Sequence, residues 1–220
     1  MCGGGRYVVG FDEAGRGSLV GEMVVAGYAI EGNRVSMLED MGVRDSKELS
    51  PSRRRELYKR LTSIGVFQVY PVKPGAIDRR NLTTLTEEAI AEILSRLVRR
   101  GICIDRVTID RYGAPRRLYS LLSRINYKGE VLIEEKADSK YLEVAAASII
   151  AKHVRDERIR VLRELYGLEG SGYPSDPRTV KWVMDALSRG EKPPIVRYSW
   201  GTLEGTGFRV SKRRTLEDFM

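Results

Sequence analysis

The chain has 220 residues, 42% of them hydrophobic, enough for one sizeable core, and no run reaches the roughly 18 to 20 apolar residues of a membrane span. A formal net charge of +8 and an isoelectric point near 9.5 suit a polyanionic partner. A single histidine, His153, and two cysteines, Cys2 and Cys103, exclude a His-rich zinc site and a disulfide framework, so the chemistry is expected to rest on carboxylates.

In chain order, residues 1–6 lack the apolar core of a signal peptide, and a soluble, cytoplasmic protein is expected. Residues 7–11 predict a strand that ends in Asp12-Glu13 and runs into Gly15-Arg16-Gly17. Residues 23–30 predict a second strand, antiparallel to the first. Ser50 as N-cap with Pro51 behind it opens a helix through residue 61. Residues 66–72 read as a third strand. Thr84-Leu85-Thr86-Glu87 fits a capping box, after which Leu85, Ala89, Ile90, Ile93, Leu94, Leu97 and Val98 share one face up to Gly101. Residues 106–110 predict a strand, 115–122 a helix and 131–135 another strand. A long helix over 141–166 contains a small-residue segment, 145–148. Turn-rich 170–177, a helix over 178–187 and a Pro193-Pro194 break follow. Strands in hairpin succession, then strands alternating with helices, imply an α/β domain with a mixed sheet over residues 1–168. Residues 169–220 are expected to form a small helical region packed on it.

The acids occupy similar places. Asp12 and Glu13 end the first strand, Asp110 ends 106–110, and Asp138 follows 131–135. Functional groups in α/β sheets collect where strands end. Acids gathered at one edge form an oxygen-only cluster that cannot stay ionised at close quarters without cations. Oxygen donors without imidazole or thiolate select Mg²⁺ or Mn²⁺. Two such ions about 4 Å apart activate a water and stabilise the leaving oxygen in phosphodiester cleavage. Taken singly, Asp110 or Asp138 is an ordinary turn or cap residue. Neighbours on a regular strand face opposite ways, so Asp12 and Glu13 are expected to share a cluster only if the strand loses its regularity there. Gly15-Arg16-Gly17, neither a Walker loop nor a dinucleotide fingerprint, reads by itself as a hairpin turn, although glycines also let backbone approach a ligand closely. His153 reads as a helix-surface residue among Arg155, Asp156 and Arg158.

VGFDEAGRG (9–17), DSKEL (45–49), TID (108–110), KADSKY (136–141), AASIIAK (146–152) and SGYPSD (171–176), in that order, resemble the successive motifs of type 2 ribonuclease H (ribonuclease HII), nearest its archaeal single-chain form. RYSW (197–200) continues the resemblance. It implies a ribonuclease H-like mixed sheet flanked by helices, with a small C-terminal helical region. It also implies Mg²⁺- or Mn²⁺-dependent endonucleolytic hydrolysis of RNA in RNA/DNA hybrids, including cuts 5′ of single ribonucleotides in duplex DNA that leave 3′-hydroxyl and 5′-phosphate ends. Asp12, Glu13, Asp110 and Asp138 match the family's metal-binding acids. Gly15, Arg16 and Gly17 match the loop on the ribose 2′-hydroxyl, a group that both donates and accepts. Tyr173 matches the aromatic that reads the RNA-to-DNA junction; it would otherwise be a loop aromatic capping the core. Lys47, Ser148 and Lys152 fall in phosphate-contacting motifs, although Lys47 also reads as a solvated loop lysine, Lys152 as helix surface and Ser148 as a small packing residue. Glu134, Glu135 and Glu143 receive no metal role. A monomer is expected.

Two other readings stand beside this one. A non-catalytic nucleic-acid-binding module on the same fold gains nothing from four clustered acids near phosphates. Ribonuclease HIII-like specificity comes with an added N-terminal domain, whereas eleven residues precede Asp12 here. Toward a sliding clamp there are only Leu216 and Phe219 near the end, and Lys212-Arg213-Arg214 serves either nonspecific DNA contact or solvation.

Overall fold

The computed structural model describes residues 5–43, 49–115, 117–204 and 207. Lys47, Lys212, Arg213, Arg214, Leu216 and Phe219 lie outside them. Five strands form the central sheet: β1 (Arg6–Ala14), β2 (Met23–Glu31), β3 (Val66–Val72), β4 (Cys103–Asp110) and β5 (Glu130–Glu134), in the order β3-β2-β1-β4-β5. β1, β2 and β3 pair antiparallel in succession, whereas β4 joins β1 and β5 joins β4 in parallel. This is the mixed sheet that the order of elements implies, since parallel partners need helical crossovers and antiparallel ones do not.

The helices are α1 (Ser36–Asp40), α2 (Pro51–Ile64), α3 (Pro74–Arg79), α4 (Leu82–Arg99), α5 (Leu118–Arg124), α6 (Ala137–Lys140), α7 (Leu142–Tyr166) and α8 (Pro177–Ser188). α1, α3 and α6 span at most two turns, too short for a helical period to show in the sequence. α4 covers one face, its Ile90, Ile93, Leu94 and Leu97 packing with Val9, Phe11, Val25, Val107 and Ile109. Full burial of each such side chain stabilises the fold by about 1.5–3 kcal/mol. α7 and α2 cover the other face, where Ala145, Ala146, Ile149, Leu57 and Leu61 join Ala26, Tyr28 and Ile30.

Gly10 shows how closely β1 approaches the first turn of α7. A Cβ there would stand 2.2 Å from the backbone of Glu143, so β1 and α7 meet backbone to backbone. That close approach sets the first turns of α7 above Asp12. A third apolar cluster ties the loop after β1 (Leu19, Val20) to Ile159 of α7, Val183 and Leu187 of α8, and Ile195 and Val196, with Val20 bridged to Val196.

The expected capping box does not form. α4 begins most of a turn earlier, where Asn81 Oδ1 accepts the Thr83 amide at 2.7 Å. Glu87, buried, instead accepts the amides of Arg117 and Leu118 at 3.0 and 3.2 Å. Those bonds start α5 at Leu118, later than the pattern around Pro115 predicts. A buried carboxylate needs donors, and the tertiary amides supply them where a solvent-exposed cap would not.

Candidate active site

β1 keeps its regularity to the end, against expectation: Asp12, Glu13 and Ala14 pair with Ala26, Val25 and Val24. The two acids therefore face opposite ways. Asp12 shares its face with Gly10 and Ala14, toward α7, and Glu13 shares its face with Val9 and Phe11, toward α4. The sheet edge brings them to a common neighbour. Pairing of β1 with β4 stops at Phe11–Ile109, so both acids pass the last paired residues beside Asp110.

Asp110 acts on both electrostatically. Burial raises the Asp12 pKa to about 6, Asp110 adding to it while Ser148, the Glu13 amide and Lys152 pull against it. Burial and then Asp12 raise Glu13 to about 7, with Arg16 opposing and Asp110 adding. Asp138 opens α6 and is buried; the preceding Lys136 adopts φ 54°, and the Ala137 amide donates to Asp110 Oδ1 at 2.7 Å, tying the two acid-bearing segments together.

Each acid commits one oxygen to a nearby donor: Asp12 Oδ1 to the Glu13 amide (2.7 Å), Glu13 Oε1 to Arg16 (3.4 Å), Asp110 Oδ1 to Ala137, and Asp138 Oδ1 to the Ser139 hydroxyl (3.4 Å). As the side chains stand, no three acids, histidines or cysteines among the described residues are grouped to hold an ion. Glu143, Glu134 and Glu135 have partners of their own. Glu143 accepts from Arg106 (3.0 Å) and Thr108 (3.1 Å), Glu134 from Lys140 and Tyr141 (2.6 Å each), and Glu135 from Arg111 (3.0 Å).

Ser148 and Lys152 lie one turn apart on α7, and both act on Asp12. The Ser148 hydroxyl is buried there without a close hydrogen-bond partner. His153 stacks on Tyr58 at 4.1 Å, and its charged neighbours are Glu157, Arg55, Asp156 and Arg54, away from the acids.

Gly15-Arg16-Gly17 is a turn, Ser18 N–H donating to Gly15 O at 3.2 Å with Gly15 at φ 80°. It is also held from below. The fully buried Arg197 donates to the carbonyls of Gly15 (2.7 Å), Arg16 (2.9 Å) and Gly21 (2.9 Å), and Trp200 Nε1 donates to Gly17 O at 3.3 Å. Burial and then Arg155 lower the Arg197 pKa to about 9, which leaves it cationic at neutral pH. The Arg16 side chain reaches both Glu13 Oε1 and Thr86 Oγ1 (3.3 Å).

The loop carrying Tyr173 docks on the same segment, Gly172 O accepting the Leu19 and Val20 amides at 2.8 and 3.0 Å. Arg155, surface-like in the sequence, is buried here. It donates to Ser171 O (2.5 Å) and Ser18 Oγ (3.2 Å), and its guanidinium lies 4.3 Å from the Tyr173 ring centroid. The structure thus brings Asp12, Glu13, Asp110, Ser148, Lys152, the glycine loop and Tyr173 around one end of the sheet. Sequence reasoning missed Thr86, Glu87, Arg155 and Arg197; the only signal for the last was its place in RYSW.

Residues 9–203 match the family model described as Ribonuclease HII. The chain belongs to the ribonuclease HII family. A ribonuclease HII of Aeropyrum pernix is 47% identical over 97% of this chain and 98% of its own length. The ribonuclease H2 of Pyrococcus horikoshii superposes with a TM-score of 0.81 at 38% identity, covering 92% of this chain and 99% of that one. The ribonuclease HII of Archaeoglobus fulgidus, solved as a complex with PCNA, gives 0.78 at 37%, covering 96% and 99%. Family and fold make the chain an endoribonuclease of the ribonuclease H class. The span matched to ribonuclease HII takes in all four acids, both loops and Arg197.

Proposed function

We propose that the enzyme hydrolyses the RNA strand of RNA/DNA hybrids and cuts on the 5′ side of single ribonucleotides embedded in duplex DNA, leaving 3′-hydroxyl and 5′-phosphate ends. One observation carries the reading: a glycine loop braced by Arg197 directly follows two half-buried acids, Asp12 and Glu13, whose ionisation is opposed by burial and by neighbouring acids. Sugar recognition and phosphate cleavage would then be coupled within one short segment.

The donor set fits a hard divalent cation, Mg²⁺ or Mn²⁺. It is oxygen-only, with Asp138 buried and the other three acids half-buried, and contains two carboxyls whose ionisation is opposed unless positive charge is supplied. Asp12, Glu13, Asp110 and Asp138 would hold the ions, which when bound supply water activation and stabilisation of the leaving oxygen. The chain's own residues do the rest. By engaging the carbonyls of Gly15 and Arg16, Arg197 keeps the loop's peptide planes in place, so a ribose 2′-hydroxyl meets a preformed surface. Tyr173, braced by Arg155, would pack on the deoxyribose that follows the ribonucleotide. Lys152 and Ser148 beside Asp12, with Lys47, would contact phosphates. Residues 1–168 would form the catalytic core and 169–220 an appended region. A monomer in the cytoplasm is the working state we assign; a clamp contact like that of the Archaeoglobus complex would fall to Leu216 and Phe219.

A duplex with one ribonucleotide, incubated with Mg²⁺ or Mn²⁺, tests the reading by a single 5′-side cut. Losing an outer-shell partner of a metal ligand already costs about 10–100-fold, so Asp110→Asn should cut at under about 1% of the parent rate while still binding hybrid. Failure of the parent to cut with either metal, or undiminished cutting by the variant, would overturn it.

A further inference from the structure

Tyr112 stands two residues beyond Asp110, where β4 gives way to the loop before α5. Its ring belongs to the α4-side core and the residue is 6% exposed, yet its hydroxyl is enclosed and makes no hydrogen bond among the described residues. An enclosed hydroxyl without a partner costs about 1–3 kcal/mol. Phenylalanine would keep the same apolar contacts without that cost, so packing alone does not account for a tyrosine.

The surroundings of the hydroxyl point to a task. Glu87, Glu13 and Arg16 all act on it electrostatically, and the last two belong to the candidate site. The segment that carries it is pinned to the start of α4. A Cβ on Gly113 would lie 3.0 Å from the Thr83 hydroxyl, and the Arg117 and Leu118 amides are held by Glu87. The same turn of α4 supplies Thr86, which receives Arg16. Glu13, Arg16, Thr86, Glu87 and Tyr112 therefore form one cluster on the α4 side of the sheet.

Within that cluster the two obvious acceptors differ. Glu87 Oε1 already takes two amides, whereas Glu13 takes one long bond, from Arg16 at 3.4 Å to Oε1, and has no hydrogen bond to its other oxygen among the described residues. A tyrosine phenol carries its proton at neutral pH, so it acts as an O–H donor.

We infer that Tyr112 is a positioning residue for Glu13: its hydroxyl is the donor that orients the Glu13 carboxylate when a divalent cation occupies the acid cluster. Arg16 and Tyr112 then hold Glu13 from two sides, and the carboxylate presents a defined oxygen to the ion. This rests on the assignment of Glu13 to the metal cluster.

The test is Tyr112→Phe in the full chain, with two readouts. The first is the Mn²⁺ concentration at which the thermal midpoint reaches half its maximal rise; the second is the Mn²⁺ dependence of cleavage of the one-ribonucleotide duplex. The metal-free midpoint should stay equal to the parent's or rise slightly. Both half-saturation concentrations should increase about 10-fold or more, as for other lost supports of a metal ligand. In a Glu13→Gln background the added Tyr112→Phe change should alter neither. A parent that responds to Mn²⁺ alongside a Tyr112→Phe variant with the same half-saturation sinks this inference and leaves the proposed function standing. So does a variant whose only defect is a lower metal-free midpoint, which would mean that the hydroxyl serves Glu87 and the fold. A parent that neither takes up Mn²⁺ nor cleaves the duplex removes both.

Discussion

Because the folded chain raises Asp12 to about 6 and Glu13 to about 7, it retains protons that the unfolded chain releases above pH 4. Where the native state binds more protons, stability falls as pH rises, so the contribution is present at low pH and is lost as pH climbs through these raised values. The loss is on the order of 3 kcal/mol for each carboxyl. In metal-free buffer the thermal midpoint of the parent should therefore drop between pH 5 and pH 8 by several degrees more than that of an Asp12→Asn/Glu13→Gln variant. Mg²⁺ should restore the parent's midpoint at pH 8 and do little at pH 5, where protons already neutralise the pair. Parallel curves for parent and variant in calorimetry would contradict this account. At the same scale the sequence placed Asp12, Glu13 and Asp110 at strand ends, where the structure has them, because an apolar run that stops at an acid is a local pattern. It misjudged how they meet: Asp12 and Glu13 stay on opposite faces of a regular strand, and the end of β4 pairing lets Asp110 reach both.

At the scale of elements, a turn of low intrinsic order becomes a fixed surface through one buried side chain. Arg197 places three donor contacts on the carbonyls of Gly15, Arg16 and Gly21, which no lysine can match with a single ammonium at the end of a flexible stem. Hydrogen bonds to charged groups contribute about 1.5–3 kcal/mol each, and buried carbonyls left unpaired add a penalty. Arg197→Lys should lower the midpoint by about 5–10 °C and weaken cleavage at a lone ribonucleotide. A variant that melts and cuts like the parent would show that the loop holds itself. α4 is the other instructive element. Its apolar face was plain from Leu85 to Leu97, since a helical period is a local property. The use of its first turn was not: Thr86 and Glu87 serve residues from two other segments, and their letters imitate a capping box.

Across the whole molecule, the 170–173 loop docks on the segment that follows β1. Gly172 O receives the amides of Leu19 and Val20, Arg155 reaches from α7 to Ser18 and Ser171, and Tyr173 rests on its guanidinium. The 170–173 loop and the glycine loop therefore form one surface. Tyr173→Ala should impair cutting at a single embedded ribonucleotide by about 10-fold or more, as loss of a stacking contact of about 1–3 kcal/mol implies, and affect a long hybrid less, since internal RNA positions offer no junction. Equal losses on the two substrates, measured side by side, would remove the junction role.

By itself the sequence determined the strands, the long helices, the positions of the four acids and the loop that follows two of them. These rest on periodicity, capping and turn chemistry, which act over a few residues. Only the tertiary structure decided that Arg155 and Arg197 are buried, that Glu87 fixes α5, and that the Tyr112 hydroxyl is enclosed without a hydrogen bond among the described residues. The reason is separation along the chain. Arg197 and Gly15 are 182 residues apart, and a bond over that distance leaves no local pattern in either segment; it exists because the sheet and its three apolar clusters bring both ends to the same place.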